Sequence, residues 1–137
     1  MNRELEEGDS LQLDFTKIAD VAKTGEAVVP VVVQDAATGD VLIVAYANEA
    51  ALRATLREKI AVFWSTSRNE LWRKGASSGD LLDLEAVFVN CEQNSLLYRV
   101  RPRTGGCCHT RQADGQSRPT CYYRVVEEDG RLRNLHP

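Results

Sequence analysis

The chain has 137 residues, the size of one domain, and its 43% hydrophobic and 27% charged residues fit a folded globular protein and exclude a disordered one. Seventeen Lys and Arg against twenty Asp and Glu leave a formal net charge of −3, which argues against a general nucleic-acid binder, since phosphate-backbone binding needs a basic surplus. The longest apolar run, Val41 to Ala47, is strand-sized and far below the roughly 18–20 residues of a membrane span, and Met1 to Ser10 is too polar for a signal peptide, so the expectation is a cytoplasmic protein without a membrane partner.

In chain order, Phe15, Ile18, Ala19 and Val21 form a short helical pattern with Asp14 as its cap and Gly25 as its stop. Val28 to Gln34 is β-branched and interrupted by Pro30, the pattern of a strand with a bend or an exposed edge. Ala37-Thr38-Gly39-Asp40 is turn chemistry, and Val41 to Tyr46 completes a hairpin. Asn48 caps a helix reaching about Glu58, with Ala51, Leu52 and Leu56 on one face.

Ile60 to Ser65 is the next strand, and a polar stretch runs from Thr66 to Asp80. Two further strands, Leu81 to Val89 and Ser95 to Val100, are joined by the tight polar segment Asn90 to Asn94. Pro102 to Pro119 is loop-like, with Gly105-Gly106 and Asp114-Gly115 as turn signals, and Cys121 to Val126 is a last strand. The sum is an α+β domain of mostly antiparallel β-sheet with short helices: residues 1–27 an extension with a short helix, 28–126 the main domain, 127–137 a polar tail.

Four cysteines, Cys91, Cys107, Cys108 and Cys121, point in a reducing compartment to metal or catalysis ahead of disulfides. Cys91 lies in a turn between strands, Cys108-His109 in a Gly-rich loop, and Cys121 opens the last strand. Zinc favours thiolate and imidazole, and a catalytic site keeps one position open for water, whose proton it acidifies to near neutral pH. No CxxC pair is present, and buried structural cysteine is the competing reading. Cys107 and Cys108 are neighbours, which an extended chain points to opposite faces, so one of them has another role or none. His109 could be a ligand, a general base, a wall of the pocket or an ordinary loop histidine, while His136 is expected in solvent.

Ser65-Thr66-Ser67-Arg68 and Leu71-Trp72-Arg73-Lys74-Gly75-Ala76-Ser77-Ser78-Gly79 are rich in hydroxyls, basic groups and glycine. Arg forks, Lys charges, hydroxyls and approachable backbone amides bind phosphate, and Trp72 offers a face for a base. A solvated surface loop has the same composition, and no Walker or Rossmann spacing is present.

Together these motifs resemble the phosphoribosyl-AMP cyclohydrolase family of histidine biosynthesis, from about Val28 to Arg124. The residues that carry the resemblance are Val33-Gln34-Asp35, Thr38-Gly39-Asp40-Val41-Leu42, Ala45-Tyr46, Asn48-Glu49 and Ala51-Leu52, then Trp64 to Arg68, Glu70-Leu71-Trp72, Lys74-Gly75, Ser77-Ser78-Gly79, Cys108-His109-Thr110 and Cys121-Tyr122-Tyr123-Arg124. The resemblance implies an obligate homodimer that opens the N1–C6 bond of a phosphoribosylated adenine. It implies a zinc held by Cys108 and Cys121 of one subunit and Cys91 of the other, with His109 as the proton-transfer group. It also implies phosphate, ribose or base contacts from Ser65, Ser67, Arg68, Trp72, Lys74, Ser77, Ser78 and Gly79.

Two departures stand out. The family's Asp-Cys-Asp-x-Asp turn, which supplies carboxylates to magnesium, reads Asn90-Cys91-Glu92-Gln93-Asn94 here. Amide oxygens are weaker ligands for a hard cation, so a weakened or absent magnesium site is expected. Between the last two cysteines the family's short Cys-His-Thr-Gly-x-x-Ser-Cys segment is extended, with Arg111 in the Gly position and an insertion through Pro119. Three readings follow: the named hydrolase, a paralogue that opens or deaminates another purine nucleotide, and a zinc-bound dimer that binds nucleotide without turnover.

Overall fold

The computed structural model describes residues 3–137. Strands β1 (Val29–Asp35) and β2 (Val41–Ala47) form the expected hairpin. Its turn is held by Asp35, whose carboxylate accepts from the amides of Ala37 at 2.8 Å and Thr38 at 3.3 Å. A second antiparallel pair, β5 (Leu82–Val89) and β6 (Leu96–Pro102), joins it through a parallel β1–β6 ladder, giving the order β2-β1-β6-β5. β1 is therefore central, and the exposed edge, one of the two alternatives that Pro30 suggests, is corrected. The β1–β6 ladder starts at Val31, so Pro30, which has no N–H to donate, sits just before it.

Period-two alternation gives the sheet two different faces. One carries Val31, Val33, Leu42, Ala45, Leu82, Tyr98 and Val100, all buried against Ala51 and Phe63. On the other, Val44, Val32, Leu97 and Phe88 stand opposite one another across all four strands. The ends of this apolar row are open, with Val44 44% and Phe88 46% exposed.

Helix α3 (Glu49–Glu58) starts at Asn48, whose side chain accepts from the Ala51 amide at 2.9 Å, and ends at Lys59 in the left-handed conformation. It buries Ala51, Ala54 and Thr55. Leu56 is 48% exposed, correcting its expected place on the inner face. Five residues at about 100° each turn it well away from Ala51. The Thr55 hydroxyl accepts from the Val62 amide at 3.0 Å and ties the helix to β3 (Val62–Ser65).

The polar stretch also contains a strand that composition concealed: β4 (Glu70–Arg73) pairs with β3. Only Leu71 and Trp72 give it apolar character, and both are partly buried against the core in a two-stranded ribbon.

The chain ends depart further from expectation. The extension holds two helices, α1 (Arg3–Glu7) and α2 (Lys17–Lys23). Asp14 does not cap α2, because its carboxylate binds the amide and hydroxyl of Thr16 instead. Of the apolar residues expected on that helix only Val21 is buried. At the other end β7 (Arg124–Val126) is shorter than expected, and the polar tail forms β8 (Leu132–Asn134) against it. The Leu132 amide donates to the Asp9 carbonyl at 2.9 Å, so extension and tail lie together. His136 is half-buried rather than in solvent, and its carbonyl accepts from Arg118 Nε at 2.8 Å.

Candidate active site

The loops after β4 and after β6 face each other across a cleft of about 400 Å³. Arg68, Trp72, Lys74, Ser77 and Ser78 line one wall, and Cys107, Cys108, His109, Arg111 and Ser117 line the other. Gly75 lets the first loop close, having φ +85° and so little room that a Cβ would lie 2.2 Å from the Asp80 backbone.

Lys74 is not a free surface cation. It is 6% exposed, its ammonium donates to the Cys107 carbonyl, and it lies 5.6 Å from the centre of the Trp72 ring. The two walls are thereby joined at the cysteines. Asp80 joins them again, accepting from Thr104 Oγ1 at 2.5 Å and Ser117 Oγ at 2.7 Å. The Thr104 hydroxyl, helped by Ser117 and the Lys74 charge, holds the Asp80 carboxyl below its ordinary range against the effect of burial.

Three of the four thiols gather at the second wall, which Cys107 and Cys108 line and Cys121 adjoins. Cys107 and Cys108 are buried, their amides both donating to the Arg118 carbonyl at 2.9 Å. The Cys121 thiol interacts with both. Its hydrogen bond pushes the Cys108 thiol well up, with burial adding to it, and Cys121 is itself pushed up to about 11, chiefly by its bond with Cys107. The same bond holds Cys107 below its ordinary value. Cys108 Sγ also lies 3.0 Å from Thr110 Oγ1.

Cys91 stands apart, exposed in the β5–β6 turn. Among the described residues no group of three or more His, Cys, Asp or Glu side chains is placed to hold a metal ion. Around Cys91 the amides bind each other: Asn90 Nδ2 donates to Asn94 Oδ1 at 2.6 Å, and Asn94 Nδ2 to Glu92 Oε2 at 3.1 Å. Asn90 Oδ1 accepts from the amides of Asn94 and Ser95, each at 2.9 Å. These oxygens hold the turn closed.

Ser65 and Ser67 lie outside the cleft lining. Ser65 is buried and accepts from the Arg68 amide at 3.3 Å, with Ser67 Oγ 3.4 Å away, so the two shape the β3–β4 turn. Gly79 shapes the loop through its amide, which donates to the Gly75 carbonyl at 2.8 Å. Sequence reasoning did not single out Asp80, Ser117, Arg118 or Glu6. Arg118 is 2% exposed and pairs with Glu7, and the neighbouring Glu6 carboxylate meets His109 Nε2 at 2.5 Å. Only the insertion between the cysteines signalled any of these, by marking the loop that carries Ser117 and Arg118.

A cleft lined by cations and hydroxyls, backed by buried thiols and a histidine, defines a site for polar chemistry on an anionic ligand. The family model described as phosphoribosyl-AMP cyclohydrolase matches residues 43–123. A phosphoribosyl-AMP cyclohydrolase of Chloroherpeton thalassium is 35% identical over 125 residues, 91% of this chain and 83% of that protein. One from Methylococcus capsulatus is 41% identical over 114 residues, 83% of this chain and 84% of its own. The histidine biosynthesis bifunctional protein HisIE of Thermus thermophilus is 45% identical over 103 residues, 75% of this chain but 45% of that longer protein. The chain belongs to the phosphoribosyl-AMP cyclohydrolase family and is an enzyme of that kind. No helix among the described residues is long and apolar enough to cross a membrane.

Proposed function

We propose that this protein hydrolyses the N1–C6 bond of phosphoribosyl-AMP in histidine biosynthesis, as a cytoplasmic homodimer that takes up zinc. The observation that carries the reading is the contact of half-buried Cys121 with buried Cys108 on one wall of a cleft whose other wall presents Arg68, Trp72 and the Ser77-Ser78 hydroxyls.

The donor set fits zinc. Cys108 and Cys121 are soft ligands in contact that a divalent cation would deprotonate; with Cys107 outside the ligand set in this reading, they are one short of a three-ligand catalytic site. In this reading the partner subunit's Cys91 supplies the third. Its exposed turn directly follows the end of β5, where Phe88 closes the open apolar row across the sheet, and a second copy laid on that face covers the row. Zinc would supply a water acidified to near neutral pH.

The remaining work falls to side chains of the cleft. Arg68 and Arg111 hold the two phosphates as charge-assisted donors, and Ser77 and Ser78 add hydroxyls. Trp72, fixed by its 5.5 Å contact with Phe63, gives the purine a flat wall. Lys74 fixes the cysteine loop and adds positive potential. His109 carries a proton to N1 as the ring opens.

Magnesium has a minor place or none in this reading, since the oxygens of Asn90, Glu92 and Asn94 already serve one another and the turn. The same observation favours, as a second reading, a paralogue acting on another purine nucleotide without magnesium. Purified, zinc-quantified protein should turn over phosphoribosyl-AMP with an ultraviolet change, with or without magnesium. Full zinc and no turnover on this substrate, with turnover of another purine nucleotide, would select the paralogue.

A further inference from the structure

Glu6 and His109 lie 103 positions apart, yet the Glu6 carboxylate is 2.5 Å from His109 Nε2. The Glu6 side chain is 19% exposed and that of His109 74% exposed, so the acid is held by its surroundings and the imidazole is not. The surroundings are specific. Tyr123 Oη donates to the Glu6 carbonyl at 2.7 Å. Arg118 grips Glu7, the next residue, through two bonds of 2.7 and 2.8 Å, and stacks 4.2 Å above the Tyr123 ring. Arg124 Nη1 donates to the Gly8 carbonyl at 3.0 Å. Three consecutive residues of the extension are thus pinned beside the cleft, with Arg118 supplied by the insertion between the cysteines.

We propose that Glu6 is a positioning residue for His109: its carboxylate accepts from Nε2–H, sets the ring's orientation and tautomer, and leaves Nδ1 as the nitrogen free for proton exchange. An exposed imidazole otherwise samples several rotamers and both tautomers, and only one combination points a usable nitrogen at the bound ring. The exposed pair adds little stability, so its effect is on reactivity. The extension and the insertion become two halves of one device: the insertion anchors the strap, and the strap orients the histidine. The inference rests on the hydrolytic reading of the site.

The test compares Glu6→Gln, Glu6→Asp and a control on the same helix, Glu4→Gln, in the zinc-loaded full chain. His109 and His136 are the only histidines, so nitrogen-resolved NMR of the imidazoles separates them readily. The unmodified protein should show His109 as a single Nε2–H tautomer, and Glu6→Gln should convert this to an exchanging mixture. With phosphoribosyl-AMP, Glu6→Gln should lower kcat about tenfold to a hundredfold, a share of what a positioned acid–base group contributes, and leave KM within about twofold. Glu6→Asp should recover part of kcat, and Glu4→Gln should match the unmodified protein. An unchanged His109 signal in Glu6→Gln, or an unchanged kcat, would overturn the inference. Failure of the unmodified protein to turn over any purine nucleotide would instead overturn the hydrolytic reading.

Discussion

Arg118 and Glu7 form a two-bond ion pair, 2.7 and 2.8 Å, in which the guanidinium is 2% exposed and the carboxylate 31%. A buried guanidinium without a carboxylate is an uncompensated charge. Glu7→Gln should therefore destabilise the protein by about 2 kcal/mol, less than for a fully buried pair because Glu7 is partly hydrated. Arg118 holds the Glu7 carboxyl below its ordinary value of 4.5, chiefly through the hydrogen bond. A depressed folded-state value gives stability that is present above the unfolded value and lost as pH falls through the folded one. Thermal unfolding below pH 4.5 should show the unmodified protein losing melting temperature faster than Glu7→Gln. Parallel curves would contradict the assignment.

Gly75 turns the first wall of the cleft at φ +85°, with backbone atoms of Asp80 where a Cβ would go. Gly75→Ala should cost about 2–4 kcal/mol, combining left-handed strain and overpacking, whereas Gly39→Ala, at φ +82° with open space around it, should cost only the strain, about 1 kcal/mol. Chemical denaturation of the two variants measures the difference. Equal losses would mean that the loop moves aside.

Cys108→Ser should remove bound zinc and turnover together, because it takes away one of the three thiols the zinc reading requires, Cys108, Cys121 and the partner subunit's Cys91. Metal content by mass spectrometry and the rate are read on the same sample. Zinc retained at full stoichiometry would show that Cys108 is not a ligand, and nucleotide binding that persists without turnover would separate substrate contacts from chemistry.

Asn90 and Asn94 face each other across a 2.6 Å amide bond. Converting both to Asp replaces that bond with two opposed carboxylates, so the double variant should melt lower without divalent cation and recover when magnesium is added. If added magnesium changes neither melting nor rate, the turn is not a cation site in this protein.

The β1–β2 hairpin, the Asn48-capped helix and the β5–β6 pair were legible because each has its own local signal, alternation, turn residues or a cap. β4 was not, since its strand character comes from pairing with β3 and from Trp72 packing on Phe63 rather than from composition. Of the bend and the exposed edge that Pro30 signals, the edge is not realised, because the strand's start, where a missing N–H is harmless, carries the same signal. At the site, the residues that the sequence grouped as one basic cluster divide in space. Arg68, Trp72, Ser77 and Ser78 line the cleft together with Lys74, which is itself buried, and Ser65 and Ser67 hold a turn. The insertion marks only the loop that carries Arg118, and Glu6 and Glu7 leave no trace in the sequence, because pairing across more than a hundred positions is a product of the fold.

The central claim is most directly tested by incubating the zinc-loaded protein with phosphoribosyl-AMP in heavy-oxygen water and weighing the product. Ring opening predicts a product heavier by one labelled water, with no ammonia released and with the label lost in Cys108→Ser. Release of ammonia would mean deamination, and an unaltered nucleotide in the presence of full zinc would contradict the hydrolytic account.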